Sequence, residues 1–312
     1  MSDSGALRPH LILPVGTHVV SRVELRDSRG TVLCPAGAVG TIVKAPVDGT
    51  HAYRVRLPDG REVALTRQAL AIRKAAQRED LAAAGALLAE TELWDRVIYR
   101  CVIGSQAYGL AGEGSDVDRR GFYLPPAELH WSLYGVPEQL ENDETQESYW
   151  EIRKFLAMAL KANPNVLECL YTPLVETCTP LAEELVAGRS RLLSRLIYQT
   201  YNGYVLSQFK KLEQDIRTTG TLKWKHAMHL IRLLLAGITG LEEGTIPVRV
   251  DDGLRERLLA IKRGEVPWDD VNAWRLDLHA RFDGAYKTTA LPERPDYAWA
   301  NDFLVRARRS AL

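Results

Sequence analysis

Residues 97–124 constrain this chain more than any other stretch. Val97-Ile98-Tyr99-Arg100-Cys101-Val102-Ile103 is an apolar run of strand length that enters Gly104-Ser105. A Gly-Ser turn after a strand offers free backbone N–H groups and a hydroxyl where a helix can start, an arrangement that suits a triphosphate. Past the glycine-rich connection Gly109 to Gly114 comes Ser115-Asp116-Val117-Asp118-Arg119-Arg120-Gly121-Phe122. On an extended strand, alternation places Asp116 and Asp118 on one face and Val117 behind them. Paired carboxylates repel unless a cation lies between them, and hard oxygen ligands of this kind suit Mg²⁺ or Mn²⁺. Either element alone is common. Together they predict a phosphate grip facing a metal-binding acidic pair.

The rest of the composition narrows the class. Forty basic residues balance forty acidic ones over 312 residues, so no global field draws the chain onto nucleic acid, and an RNA contact has to come from a local patch. Cys34, Cys101, Cys169 and Cys178 are scattered without a Cys-x-x-Cys pair, which predicts reduced thiols rather than a zinc site or a disulfide framework. The longest apolar stretch, Leu230 to Leu241, is interrupted by Arg232, and no signal peptide or membrane span is expected. A cytoplasmic protein is the expectation.

The pattern along the chain predicts three domains. Residues 1–75 hold five short β-rich runs, Thr17–Val20, Gly30–Leu33, Gly40–Val43, Tyr53–Leu57 and Glu62–Leu65, with a hairpin turn at Pro58-Asp59-Gly60-Arg61. That spacing suggests an SH3-like β-barrel. A connecting helix is expected from Ala69 to about Leu93. Residues 76–180 read as an α/β domain: strands at 97–103, at the Asp-Val-Asp segment and at Glu144–Tyr149, then helical spacing from Trp150, broken at Asn163-Pro164-Asn165. Residues 181–312 read as a helical domain, ending in an amphipathic helix over Tyr297–Arg309 after the extended Leu291-Pro292-Glu293-Arg294-Pro295.

Chemistry at such an acidic pair calls for a third carboxylate on a neighbouring strand, to hold the metal and take a proton from an attacking hydroxyl. Asp143, Glu144, Glu147 and Glu151 are the candidates. Glu147 is preferred because it lies inside the expected strand, sharing a face with Thr145 and Tyr149. Further along, Lys225, His229 and Arg232 stand at i, i+4 and i+7, one stripe of a helix beside the apolar Met228, Ile231 and Leu235. A basic stripe of this kind would close over a triphosphate. Arg120 follows the aspartate face and is the better substrate contact; Arg119 opposes it.

The run Gly104-Ser105-Gln106-Ala107-Tyr108-Gly109-Leu110, then Ser115 to Gly121, Trp150-Glu151-Ile152-Arg153-Lys154-Phe155, Asn163 to Glu168 and Lys225 to Leu234 resembles the predicted nucleotidyltransferases of the DNA polymerase beta superfamily associated with RNA ligase and RNA repair. The likeness spans residues 97 to about 310 and leaves out the N-terminal barrel. It implies a minimal, palm-like α/β nucleotidyltransferase domain followed by helices, metal-dependent, taking ATP or another NTP and releasing pyrophosphate. Carried onto the motif positions, it makes Gly104 and Ser105 the phosphate grip and Asp116 and Asp118 the metal ligands. The wider superfamily usually has an apolar residue where Arg119 stands. The implied acceptor is a hydroxyl, first of all that of an RNA end, with a protein hydroxyl or a small molecule as alternatives.

Overall fold

The computed structural model describes residues 12–27, 29–46, 51–73, 93–112 and 114–312. Contacts divide the chain into two compact units, Met1–Ala89 with Ser132–Val136, and Glu90–Trp131 with Pro137–Leu312.

The first unit is an antiparallel sheet. Its strands are β1 (His18–Ser21), β4 (Val39–Lys44), β5 (Tyr53–Arg56), β6 (Glu62–Leu65) and β7 (Leu70–Ile72), in the order β6-β5-β4-β1-β7; β2 (Leu25–Arg26) and β3 (Val32–Cys34) pair separately. Alternation does what the sequence pattern requires: Tyr53 and Val55 are buried with Val63 and Leu65 on the next strand, while Arg54 and Arg56 stay outside and reach Glu62. The expected hairpin forms, with Gly60 at a positive φ and the Asp59 carboxylate accepting from the Arg61 N–H. A closed barrel does not: among the described residues the ladder is open, with β6 and β7 as its edges. The expected connecting helix begins no earlier than Arg73, because Leu70–Ile72 pairs with β1; most of it falls on residues 74–92, outside the described residues.

The second unit has a mixed five-stranded sheet in the order β10-β11-β9-β8-β12, built from β8 (Val97–Ile103), β9 (Asp118–Tyr123), β10 (Gln139–Asn142), β11 (Glu147–Glu151) and β12 (Val175–Cys178). β9 and β11 run parallel and the other pairs antiparallel. Helix α1 (Gly104–Tyr108) follows β8 directly, and a short α2 (Ala127–Trp131) follows β9. One face of the sheet packs Tyr99, Phe122 and Trp150 against Phe155 of α3 (Ile152–Ala159), Val166 and Leu170 of α4 (Pro164–Tyr171), α5 (Pro180–Ala187) and Phe303 of α10 (Tyr297–Arg309). Gly121 is obligatory in the middle of β9, since a Cβ there would lie 1.9 Å from the Tyr99 carbonyl oxygen. The break between α3 and α4 is where the Asn-Pro-Asn segment predicts it, with the Asn163 side chain accepting from the Asn165 N–H.

Helices α6 (Leu196–Thr219), α7 (Trp224–Glu243), α8 (Asp252–Arg263) and α9 (Trp268–Thr288) complete this unit. Their shared core runs through Ile197, Tyr201, Ile231, Leu234, Ile238 and Phe282. The last helix has the bounds the amphipathic pattern gives, Tyr297–Arg309; Arg306 binds Glu184 at the surface and the buried Arg308 binds Glu151. All four cysteines are unpaired, and no helix among the described residues is long and apolar enough to cross a membrane.

Candidate active site

The strand β8 ends at Ile103, and the chain turns into α1 through Gly104 at φ +71°, a left-handed conformation that favours glycine. A side chain there is doubly unwelcome, because its Cβ would approach Asp118 Oδ2 to 2.9 Å. The glycine therefore lets the helix start lie directly against the carboxylate. No side chain caps the first turn of α1. Its far end is fixed: the Tyr108, Gly109 and Leu110 carbonyls accept from Val250 N–H, Arg255 Nε at 2.6 Å and Lys262 Nζ at 3.1 Å. Gln106 donates to the Ser115 carbonyl, and Ser115 Oγ accepts from the Gly112 N–H, so the connection that carries the acidic pair is tied to the same helix.

These elements form one wall of a cleft of about 470 Å³. Gly104, Ser105, Tyr108, Asp116 and Asp118 line that side; Gln208 and Lys211 of α6, Lys225, His226, Met228 and His229 of α7, and Lys262 of α8 line the other. Asp118 opens β9, whereas Asp116 lies in the loop before it, so only one of the pair is on a strand. Two carboxylates thus face three lysines. Among the described residues Lys211 and Lys225 form no ion pair, while His226 Nδ1 lies 3.2 Å from Asp215 Oδ2 and Lys223 Nζ 3.2 Å from Asp215 Oδ1. Lys211, Lys262, Gln208 and His226 were not among the residues the sequence pattern selects. A single helix stripe identifies its own members, but α6 and α8 reach the cleft through tertiary packing alone.

Behind the cleft is a buried polar clamp. Arg232 Nη1 donates to Glu168 Oε1 at 2.7 Å, Tyr108 OH donates to Glu168 Oε2 at 2.5 Å, and the guanidinium carbon lies 3.7 Å from the Tyr108 ring centroid. Arg232 and Glu168 are 4% and 1% exposed, and Arg232 Nε is buried without a hydrogen-bond partner. Burial, followed by the neighbouring Glu168 carboxylate, pushes the Tyr108 phenol well above its ordinary range. The clamp joins α1, α4 and α7, and so fixes the Gly-Ser side of the cleft to its basic side.

Residues 68–306 match the RNA repair pathway DNA polymerase beta family. This chain belongs to that family. It is also similar to the uncharacterized protein YcgL of Bacillus subtilis (strain 168), 27% identical over 200 residues, which cover 60% of this chain and 75% of that protein. Family membership points to nucleotidyl transfer as the general chemistry and agrees with the resemblance carried by Gly104-Ser105 and Asp116-Val117-Asp118.

Not every residue selected from the sequence reaches this cleft. Glu147 pairs with Arg119, not with Asp118 or Arg120, in the parallel β9–β11 ladder, and paired residues share a face. It therefore lies on the side of the sheet opposite Asp118, where its carboxylate accepts from Tyr149 OH. Glu151 ends β11, caps α3 by accepting from the Arg153 N–H, and binds the buried Arg308. Asp143 and Glu144 occupy the hairpin turn organised by Asn142. Gln146, at φ +55°, precedes the strand, and the first residue of β11 on the Asp118 face is Ser148, paired with Arg120. Among the described residues no three His, Cys, Asp or Glu side chains gather to hold a metal ion.

The basic residues divide likewise. Lys225 and His229 line the cleft; Arg232, one further turn along the same stripe, is consumed by Glu168. His229 is half-buried, and desolvation, then the Arg232 charge, lowers its imidazole to about 3, so it is neutral at ordinary pH. Arg120 keeps the aspartate face, as alternation requires, with Nη2 3.4 Å from Asp118 Oδ1 and Nη1 on the Arg119 and Gln146 carbonyls. Arg119 is on the other face, paired to Glu176 at 2.9 Å.

Proposed function

We propose that this protein transfers a nucleoside monophosphate from an NTP to an acceptor hydroxyl, the terminal hydroxyl of an RNA, and releases pyrophosphate. The observation that carries the reading is the cleft itself: an acidic pair laid against a Gly-Ser helix start on one side, and Lys211, Lys225 and Lys262 on the other. The family's description, which names an RNA repair pathway, supports RNA as the acceptor.

The residues fit a divalent cation. Mg²⁺ is commonly bound by one or two carboxylates, with substrate phosphates and water completing its shell, and a two-carboxylate site open to a cleft meets that need. Asp116 and Asp118 would hold Mg²⁺ or Mn²⁺, which when bound offsets charge developing at the α phosphate. Gly104 and Ser105 would meet the phosphate tail with backbone N–H groups and the Ser105 hydroxyl. Lys211, Lys225 and Lys262 would bind the β and γ phosphates as point charges and stabilise the departing pyrophosphate. His229, neutral and close-packed, forms cleft wall rather than a phosphate contact. Arg120 keeps Asp118 oriented and lowers the repulsion between the two carboxylates. Catalysis in this arrangement comes from positioning and electrostatics.

The test is label transfer. Purified protein with Mg²⁺ or Mn²⁺ and each α-labelled NTP is offered total RNA and, separately, total cell protein. Label entering RNA, and lost in the Asp116→Ala, Asp118→Ala double variant, is the expected result. Label entering protein instead would assign an NMP transfer to protein hydroxyls, and label in neither would remove RNA as the acceptor.

A further inference from the structure

We infer that His226, aligned by Asp215, is the proton acceptor for the attacking hydroxyl. The inference rests on the transferase reading above. On the sheet side of the cleft the strand next to Asp118 offers Ser148, across from Arg120, and the preferred carboxylate, Glu147, faces the other way. On the helical side, His226 lines the cleft near the start of α7.

The local chemistry fixes its tautomer. A carboxylate only accepts, so the 3.2 Å contact with Asp215 Oδ2 requires a proton on His226 Nδ1, and in the neutral imidazole the lone pair is then on Nε2. Asp215 is itself held from its other oxygen by Lys223 at 3.2 Å, and its side chain is 13% exposed, so the carboxylate is a fixed orienting group. This is the base-and-orienter arrangement that general-base catalysis uses. The surrounding charges leave the role to His226. Lys211 from α6, Lys225 from its own helix and Lys262 from α8 are cations suited to phosphates; His229 is turned to Arg232; and Asp116 and Asp118 across the cleft are the cation's ligands in the reading above.

In the step, the acceptor O–H proton passes to His226 Nε2 as the oxygen forms its bond to the α phosphorus. The bond from that phosphorus to the bridging oxygen breaks, and pyrophosphate leaves with the bonding pair. Asp215 is a positioning residue, stabilising the imidazolium that forms.

The experiment uses the full chain with the acceptor found by label transfer. His226→Ala is expected to lower kcat about 100-fold or more, within the usual range for a general base. KM for the NTP and binding of a fluorescent NTP analogue should stay within about threefold of wild type, a change worth under ~1 kcal/mol. Added imidazole should restore turnover saturably, with a pH dependence that follows free imidazole. Asp215→Asn should lower kcat by a smaller factor and leave KM for the NTP within about threefold, a change under ~1 kcal/mol. A His226→Ala variant that raises KM with kcat unchanged would make His226 a phosphate ligand. Unrescued loss together with lost nucleotide binding would make it structural, and either result overturns the inference. Transfer by the wild type, abolished by Asp116→Ala but untouched by His226→Ala, would overturn this assignment alone. A wild type inactive with every acceptor would instead remove the transferase reading.

Discussion

Replacing Arg232 by methionine should be among the most damaging single changes in the second unit, although the residue lies outside the cleft. The substitution keeps the apolar stem and removes the charge. What remains is the Glu168 carboxylate, 1% exposed, with Tyr108 OH donating at 2.5 Å and nothing where the guanidinium had donated at 2.7 Å. Breaking one side of a buried ion pair costs about 3–5 kcal/mol. For a unit of this size each kcal/mol moves Tm by about 2–4 °C, so the expected fall is about 6–20 °C. The readout is selective: every tryptophan of the chain, Trp94 to Trp299, lies in the second unit, so tryptophan fluorescence during urea or thermal unfolding follows that unit alone. Glu168→Gln should be costly for the converse reason, a buried guanidinium facing a neutral amide. Combining the two removes both charges, and the double variant should be less destabilised than the sum of the singles by at least ~1.5 kcal/mol, within the range for residues in direct contact. If the two singles add to within about 0.5 kcal/mol, the residues are uncoupled and the clamp does not hold α1, α4 and α7 together.

Three further outcomes follow from the same geometry. Glu147→Gln should leave kcat and KM within about twofold, a difference under ~0.5 kcal/mol, because its carboxylate is on the face of β11 away from Asp118; a loss of 100-fold would restore it as the third carboxylate. Lys211→Ala and Lys225→Ala should each raise KM for the NTP about tenfold or more, matching the ~1.5–3 kcal/mol of a charge-assisted hydrogen bond, and should do so less at high salt. Folded His229 takes up its proton only near pH 3, whereas the unfolded imidazole does so near 6.5. The unfolded chain therefore binds more protons between those values, and stability falls as pH is lowered from about 6.5 towards 3, by up to about 1.4 kcal/mol per pH unit. His229→Gln should flatten that part of a stability–pH curve measured by urea midpoint, and an unchanged slope would contradict the burial argument.

Much of this site is written locally. The strand, the Gly-Ser turn and the acidic pair fall within about twenty consecutive residues, and each depends on short-range rules: an apolar run, a glycine able to take a positive φ, and alternation. The Asn-Pro-Asn break and the last helix are local in the same sense. What could not be read is non-local. The face that Glu147 presents depends on the parallel register of β11 with β9, and a shift of one residue reverses it. Gln146 at φ +55° and the hairpin turn before it delay the strand to Glu147, so the expected partnership with Thr145 never forms. Arg232 is on the stripe that helical spacing gives it, but its fate is decided by Glu168, sixty-four residues earlier in the chain. The open N-terminal sheet is a similar case: five short strands with hairpin turns are equally compatible with closure and with an edge, and the pairing of β1 with β7 settles which.

The central claim is that the bond cleaved lies between the α and β phosphates of an NTP and that Asp116 and Asp118 are required to cleave it. Parallel reactions with α-labelled and γ-labelled NTP, with Mg²⁺ and an RNA acceptor, measure this directly. The expected result is α label covalently in the acceptor and γ label in pyrophosphate, in equal amounts, both absent from the Asp116→Ala, Asp118→Ala variant. Label from the γ position appearing as orthophosphate or in the acceptor, or transfer persisting in the double variant, would contradict it.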